Sequence, residues 1–268
     1  MNELLPLIPL LVGAGALAGT LAGLLGVGGG LVIVPVMLEL LTWRGMGQDG
    51  ALLVATGTSL AVIVPTAISS STAHHRRGNV DTALLRNWAP PLAAAVCLGA
   101  WLAPQIPAEH LLLFFGLFVL TVAIKRLRRP SAGPWRPTLP APWVQWTLAA
   151  LIGFVCVLMG IGAGTLGVAA FTAFAVPVHR AVGTAAVLGL VIAAPGALLA
   201  ALHATPPGAP AYTIGHVNLP ALAIIAPLAV AVAPLGVRLG ARLAPERLQM
   251  VFAVFLLLVG LRMLSRLV

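Results

Sequence analysis

Apolar residues in this chain come in continuous runs, several of them about twenty residues long, and that feature alone excludes most folds. The hydrocarbon core of a bilayer, about 30 Å thick, is crossed by roughly 20 residues of α-helix. Spanning strands would instead alternate apolar and polar residues over about ten positions. Charge settles which solvent the runs meet. Only 8% of the 268 residues are charged, against about 25% in soluble domains. So few cannot cover a water-facing surface, and the mean hydropathy is +1.06. A soluble enzyme and a disordered tail are excluded, and the expected fold is an all-α, polytopic membrane bundle with the lipid bilayer as its surroundings. The net charge of +9 does not imply nucleic acid, because the basic residues sit in short loops between apolar runs, where they act as topology determinants.

Five runs precede a polar, Pro-rich connection: Leu4–Leu25, Leu31–Leu41, Leu52–Ala73, Asn87–Ala103 and Glu109–Ile124. Five follow it: Trp143–Met159, Thr165–Val176, Ala181–His203, Asn218–Val237 and Glu246–Leu264. The start, Met1-Asn2-Glu3, lacks the cationic region of a secretory signal, so the first run is expected to be retained. The two sets match in order. Gly26-Val27-Gly28-Gly29-Gly30 recurs as Gly160-Ile161-Gly162-Ala163-Gly164, and Ala55-Thr56-Gly57-Thr58 as Ala181-Val182-Gly183-Thr184. Gly78-Asn79-Val80-Asp81 recurs as Gly215-His216-Val217-Asn218, and Glu109, Phe115 and Phe118 align with Glu246, Phe252 and Phe255. Four matches in one order indicate an internal duplication: a first repeat over 1–124, a connection over 125–142 and a second repeat over 143–268.

Five elements per repeat is an odd number, so the second repeat is expected to be inverted relative to the first. Basic residues test this. With the N-terminus outside, one face receives twelve of the fifteen, namely Arg76, Arg77, Arg86, Lys125, Arg126, Arg128, Arg129, Arg136, Arg180, Arg238, Arg242 and Arg247. The other face receives Arg44, Arg262 and Arg266. The bias predicts a multi-pass protein of the cell (inner) membrane with both termini extracytoplasmic and the connection cytoplasmic.

Each repeat opens with a helix, a Gly-rich break and a short helix that either spans or re-enters. Breaks at membrane depth are tolerated where they are buried in protein or line a wet cavity. A short helix beginning there offers free N–H groups and a positive dipole end to an anion. Paired broken helices in inverted repeats point to a transporter's substrate site; close helix packing is the other use of such glycines. The candidate substrate-binding residues are Gly26, Gly28, Gly29, Gly30, Gly57, Thr58, Ser59, Gly160, Gly162, Gly164, Thr165, Gly183 and Thr184. The hydroxyls among them either bond an oxyanion or cap helices. Pro35 is expected to interrupt the first short helix.

These motifs, GLLGVGGGLVIVP at 23–35 with ATGTS at 55–59, and GIGAGT at 160–165 with AVGTA at 181–185, resemble those of the TauE/SafE family of membrane anion transporters, also called the toluene sulfonate uptake permease family. The resemblance covers nearly the whole chain. It implies secondary transport of small sulfur-containing anions (sulfite, sulfonates or related organosulfur acids) in either direction.

Other groups bear on mechanism. Glu39 is the one carboxylate inside an apolar run and a candidate for proton coupling; its position near a helix end equally suits interfacial exposure. His74, His75, Arg76, Arg77, His179 and Arg180 form either an anion-attracting vestibule or simple topology signals. His203 and His216 read as surface histidines. Cys97 and Cys156 lie in apolar runs, and Cys156 reads as a small buried hydrophobe. No cluster has metal-ligand spacing, no nucleophile–base pair is visible, and no nucleotide-binding motif is present. Neither covalent chemistry nor a cofactor is expected, so energy must come from the substrate gradient or a coupled proton or Na+. The expected function is an alternating-access carrier for a small anion; a passive anion channel and a non-transporting scaffold subunit are the alternatives.

Overall fold

A computed structural model describes residues 8–25, 29–128, 138–242 and 245–266. Among these, ten α-helices dominate: α1 Ile8–Leu25, α2 Gly30–Trp43, α3 Gln48–Arg76, α4 Thr82–Leu102, α5 Ala108–Arg128, α6 Pro142–Leu158, α7 Leu166–Ala173, α8 Val178–Leu202, α9 Leu219–Arg242 and α10 Pro245–Leu264. Between α8 and α9 a small antiparallel hairpin pairs β1, Thr213–Ile214, with β2, Val217–Asn218. The architecture is therefore mostly helical, as expected, with one short departure.

Helix lengths follow from local chemistry. Pro142 occupies the first turn of α6, where its missing N–H is not needed. α6 closes at Gly160: Gly160 N–H donates to Val157 O at 3.1 Å and Ile161 N–H to Cys156 O at 2.9 Å, the paired bonds of a glycine-terminated helix. Asp81 caps α4 by accepting the Leu84 N–H at 3.0 Å, and Asn218 caps α9 by accepting that of Ala221, also at 3.0 Å. The expected interruption at Pro35 does not occur. α2 runs through Pro35 as one helix, because a missing intrahelical bond is tolerated where neighbouring helices surround the segment. Val32, Ile33, Val34 and Pro35 are all buried.

α3 and α8 pack together at the centre, with α2 against α3 and α7 against α8. Around them α1 packs on α9, α4 on α6 and α5 on α10, while α4 also touches α8 and α3 touches α9. The pairs α1–α9, α3–α8, α4–α6 and α5–α10 each join helices from opposite sides of the connection. Small residues allow the closest approaches: a Cβ on Gly19 would lie 2.6 Å from Ala229 O, and one on Gly153 would lie 2.5 Å from Leu92 O.

Polar contacts define two ends. At one end Glu39, near the end of α2, meets Arg262 and Arg266 near the end of α10. There too Asp49 of α3 accepts the Ala108 N–H that opens α5, at 2.7 Å, and Gly50 lies against Pro206. At the other end Arg180 of α8 lies 4.0 Å from Asp81, which precedes α4. α3 and α8, at 29 and 25 residues, are long and apolar enough to cross a membrane. By contrast the eight residues of α7 rise only about 12 Å, too short to cross. Leu98, Leu117, Leu151, Leu198 and Leu258 stand on the outside of the bundle, an apolar surface suited to lipid.

His216 is not a surface residue. The hairpin folds inward, so its backbone N–H donates to Ala200 O at 2.8 Å, the residue is only 5% exposed, and its ring stacks on His203 at 5.1 Å between centroids. Burial, with the neighbouring His203, pushes its pKa down to about 4. Cys97 is exposed on α4, whereas Cys156 is buried.

Candidate functional site

The two glycine motifs meet. Gly29 caps α2 with φ of 72°, left-handed backbone that favours glycine, and its carbonyl accepts the Val32 and Ile33 N–H groups at 3.0 and 3.2 Å. Gly30 follows, and a Cβ there would lie 2.5 Å from Gly160 O and 3.0 Å from Ile161 Cα. Backbone thus lies directly on backbone. Gly160, with φ of 63°, sits equally close to α3: its Cβ would come 2.8 Å from Thr56 Cα and 2.9 Å from Val34 Cγ2. Ser59 fixes the junction by donating its hydroxyl to Gly160 O at 2.7 Å, fully buried. The Cys156 thiol donates to Gly162 O at 3.7 Å. Gly162 is looser, since a Cβ would make only ordinary contacts, 3.6 Å to Ile63 Cγ2 and 3.9 Å to Gly189 Cα.

From here the chain turns into α7. Gly167 N–H donates to Ala163 O at 2.7 Å, and Thr165 stands just before the helix. Thr165 is 3% exposed, yet its Oγ1 has no hydrogen-bond partner among the described residues. An unmade hydrogen bond on a buried hydroxyl costs about 1–3 kcal/mol.

Of the residues expected at the site, the structure gathers Gly29, Gly30, Ser59, Gly160 and Gly162 at one junction, with Thr165 a turn beyond. Gly164 lies in the same turn, between Gly162 and Thr165. Gly26 and Gly28 lie outside the described residues. The remaining four are engaged elsewhere. Gly57 lies on the His216 backbone, where a Cβ would sit 2.5 Å from its carbonyl oxygen, and Thr58 Oγ1 accepts the Asn218 N–H at 2.9 Å. Gly183 lies on the Asn79 backbone just as closely, and Thr184 Oγ1 accepts the Asp81 N–H at 3.0 Å. Each Gly-Thr pair therefore clamps the loop before a helix of the other half. Sequence reasoning found both motifs, 55–58 with 181–184 and 78–81 with 215–218, as repeats. It missed that they bind each other crosswise. Their shared polarity within apolar surroundings was the available signal.

Glu39 lies away from the junction. Its carboxylate accepts from Arg262 Nε at 2.7 Å and Nη2 at 3.2 Å, and from Arg266 Nε at 3.2 Å and Nη2. Arg266 Nη2 also donates to Thr42 Oγ1 at 2.9 Å. Two guanidinium forks on one carboxylate join α2 to α10, a setting suited to an anchor more than to a proton carrier. Glu39→Gln should lower Tm by a few degrees and leave the pH profile of transport unchanged; a shifted profile would return Glu39 to the coupling role.

Comparison with known proteins gives a consistent result. The chain is 32% identical to a probable membrane transporter protein of Haemophilus influenzae, over 93% of this chain and 95% of that protein. It is 27% identical to the probable membrane transporter protein YunE of Bacillus subtilis, over 95% and 96%. It is 28% identical to a probable membrane transporter protein of Methanocaldococcus jannaschii, over 98% and 97%. No solved structure matches. Residues 11–263 match the family described as Sulfite exporter TauE/SafE, and with that match covering nearly every helix described above, the chain belongs to the TauE/SafE family of membrane transporters.

Proposed function

We propose that the protein is a secondary carrier that moves small sulfur-containing anions, such as sulfite, a sulfonate or a related organosulfur acid, across the cell inner membrane by alternating access. The observation that carries this reading is the junction itself: Gly30 laid on Gly160 and Ile161, with, a turn further on, a buried Thr165 hydroxyl that has no partner among the described residues. Glycine backbone buried between the two halves, close to the start of a short helix, is a setting in which an anion is held without a formal positive charge.

Two inverted repeats, 1–124 and 143–268, are the moving parts in this reading. It is supported by contacts that recur when the halves are exchanged. Gly19 on Ala229 matches Gly153 on Leu92, and Gly57–Thr58 on 216–218 matches Gly183–Thr184 on 79–81. Cations support the sidedness. Arg180 beside Asp81 marks the end assigned to the cytoplasm, and Arg262 and Arg266 mark the end assigned to the outside with both termini. Rocking of one repeat against the other exposes the junction to each side in turn, driven by the substrate gradient or by a coupled proton or Na+.

Purified protein in liposomes should carry both labelled sulfite and labelled methanesulfonate, and should accumulate sulfite above the external concentration when a pH or Na+ gradient is imposed. Downhill, ohmic current alone would identify a channel, and no flux of either anion would leave a scaffold.

A further inference from the structure

Thr165 is distinguished from the other hydroxyls among the expected site residues. Ser59 donates to Gly160 O, while Thr58 and Thr184 accept backbone N–H groups. Of these, the Thr165 hydroxyl alone is buried without a partner among the described residues. It stands at the start of α7, where the dipole favours an acceptor that carries negative charge. The residue at the same spacing from the first glycine motif is Leu31, which is buried and apolar. The donor is therefore on one side of the junction only.

Charge around it is absent in a specific way. α7 itself has no ionisable residue. α8, packed against it, has His179 and Arg180 in its first turn and none beyond. α3 has Asp49 in its first turn and His74, His75 and Arg76 in its last. On α2, Glu39 is bound to Arg262 and Arg266. α6 offers Cys156, whose thiol is bonded to Gly162 O. Residues 21–28 contain no ionisable side chain. α4, whose Trp88 packs on Phe171 of α7, carries Arg86, which is exposed. Among the described residues of these helices the cations therefore stand near helix ends, and an anion beside Thr165 relies on dipoles and hydroxyls. The penalty for moving an ion out of water grows with the square of its charge, whereas the attraction of a helix end grows only in proportion to it. A second negative charge quadruples the penalty and doubles the reward.

We propose that the site admits singly charged oxyanions and rejects doubly charged ones, with the Thr165 hydroxyl as the donor that holds them. This rests on the transport reading above. For a diprotic acid the consequence concerns the proton. Hydrogensulfite crosses as a unit, its proton bound to the cargo throughout and released only when the ion re-enters water, and no side chain changes protonation. The energetic link to pH then lies in the substrate.

The test is counterflow exchange in proteoliposomes at equal pH on both sides. Sulfite, whose second ionisation falls near neutrality, is compared with methanesulfonate, which carries one charge throughout. Sulfite exchange at fixed total concentration should fall about tenfold per pH unit above that ionisation, while methanesulfonate exchange stays level. Thr165→Val should slow both anions by about ten- to a hundredfold, the effect of losing one hydrogen bond to a charged group, and Thr165→Ser should restore them. Sulfite exchange that holds constant with pH means that the dianion is carried, and parallel decline of both anions means that a protein group titrates. Either result overturns the proposal. Thr165→Val exchanging at the wild-type rate overturns the role of its hydroxyl. Absence of exchange of both anions by the wild-type protein defeats the transport reading, and this inference with it.

Discussion

Gly57→Val is expected to leave little folded protein in the membrane, and Gly183→Val to do the same. At Gly57 the new Cβ would stand 2.5 Å from His216 O and 2.9 Å from its Cβ. Neither partner can retreat. α3 is held on its neighbouring face by Gly160 against Thr56, and the 216–218 loop is tied by its own bonds to Ala200 O and Thr58 Oγ1. Overpacking of this kind costs about 1–3 kcal/mol, and loss of the adjoining Asn218–Thr58 bond adds to it. Gly183 faces the Asn79 carbonyl in the same way, with the Asp81–Thr184 bond at risk. Monodisperse yield after detergent extraction, and Tm, measure the effect. Gly13→Ala is the control, since nothing lies within 4 Å of the added carbon and alanine favours the helix. Wild-type yield and Tm for Gly57→Val would show that the loop does not bind where described.

Gly162→Leu is expected to behave oppositely, with folded protein largely retained and anion flux reduced about a hundredfold, the order of loss when a bound group is displaced by about 1 Å. The looseness at this position makes the distinction possible. The first carbon meets only ordinary contacts with Ile63 and Gly189, so Gly162→Ala should fold and melt as wild type does. The further carbons of leucine then press between Ile63 and Gly189 and cover the 160–165 backbone. Gly29 and Gly30 are poorer probes: Gly29 has φ of 72°, and Gly30 has Gly160 O where a Cβ would go. Substitution there perturbs folding and function together. Full flux in Gly162→Leu vesicles would move the site away from this junction.

How much of this was legible beforehand depends on what each residue touches. Trp143–Met159 anticipated α6, at Pro142–Leu158, to within one residue, because its ends are marked by proline and glycine. α4 begins at Thr82, five residues before the expected Asn87, since Arg86 and Asn87 break the apolar run after Leu85 and the capping role of Asp81 leaves no mark in an apolar profile. α7 ends at Ala173 instead of Val176, with Ala175 in left-handed backbone at φ of 59°. Hydrophobic patterning gave no guide to facing, because lipid and protein interior are equally apolar. Thr58 and Ser59 illustrate this. They are adjacent and chemically alike, but about 100° of helix separates them, so one meets Asn218 and the other Gly160. Glu39 reads differently once Arg262 is known to stand beside it, 223 positions away in sequence.

The crosswise clamps also constrain the order of events at the ribosome. Thr58 must wait for Asn218, 160 residues later, which at about 5–20 residues per second is roughly 8–30 s. Until then the early helices reside in lipid with an open groove and an unmatched hydroxyl. A nascent chain stalled before the hairpin therefore leaves Thr58 without its Asn218 partner, an unfinished polar surface on a helix already in the bilayer.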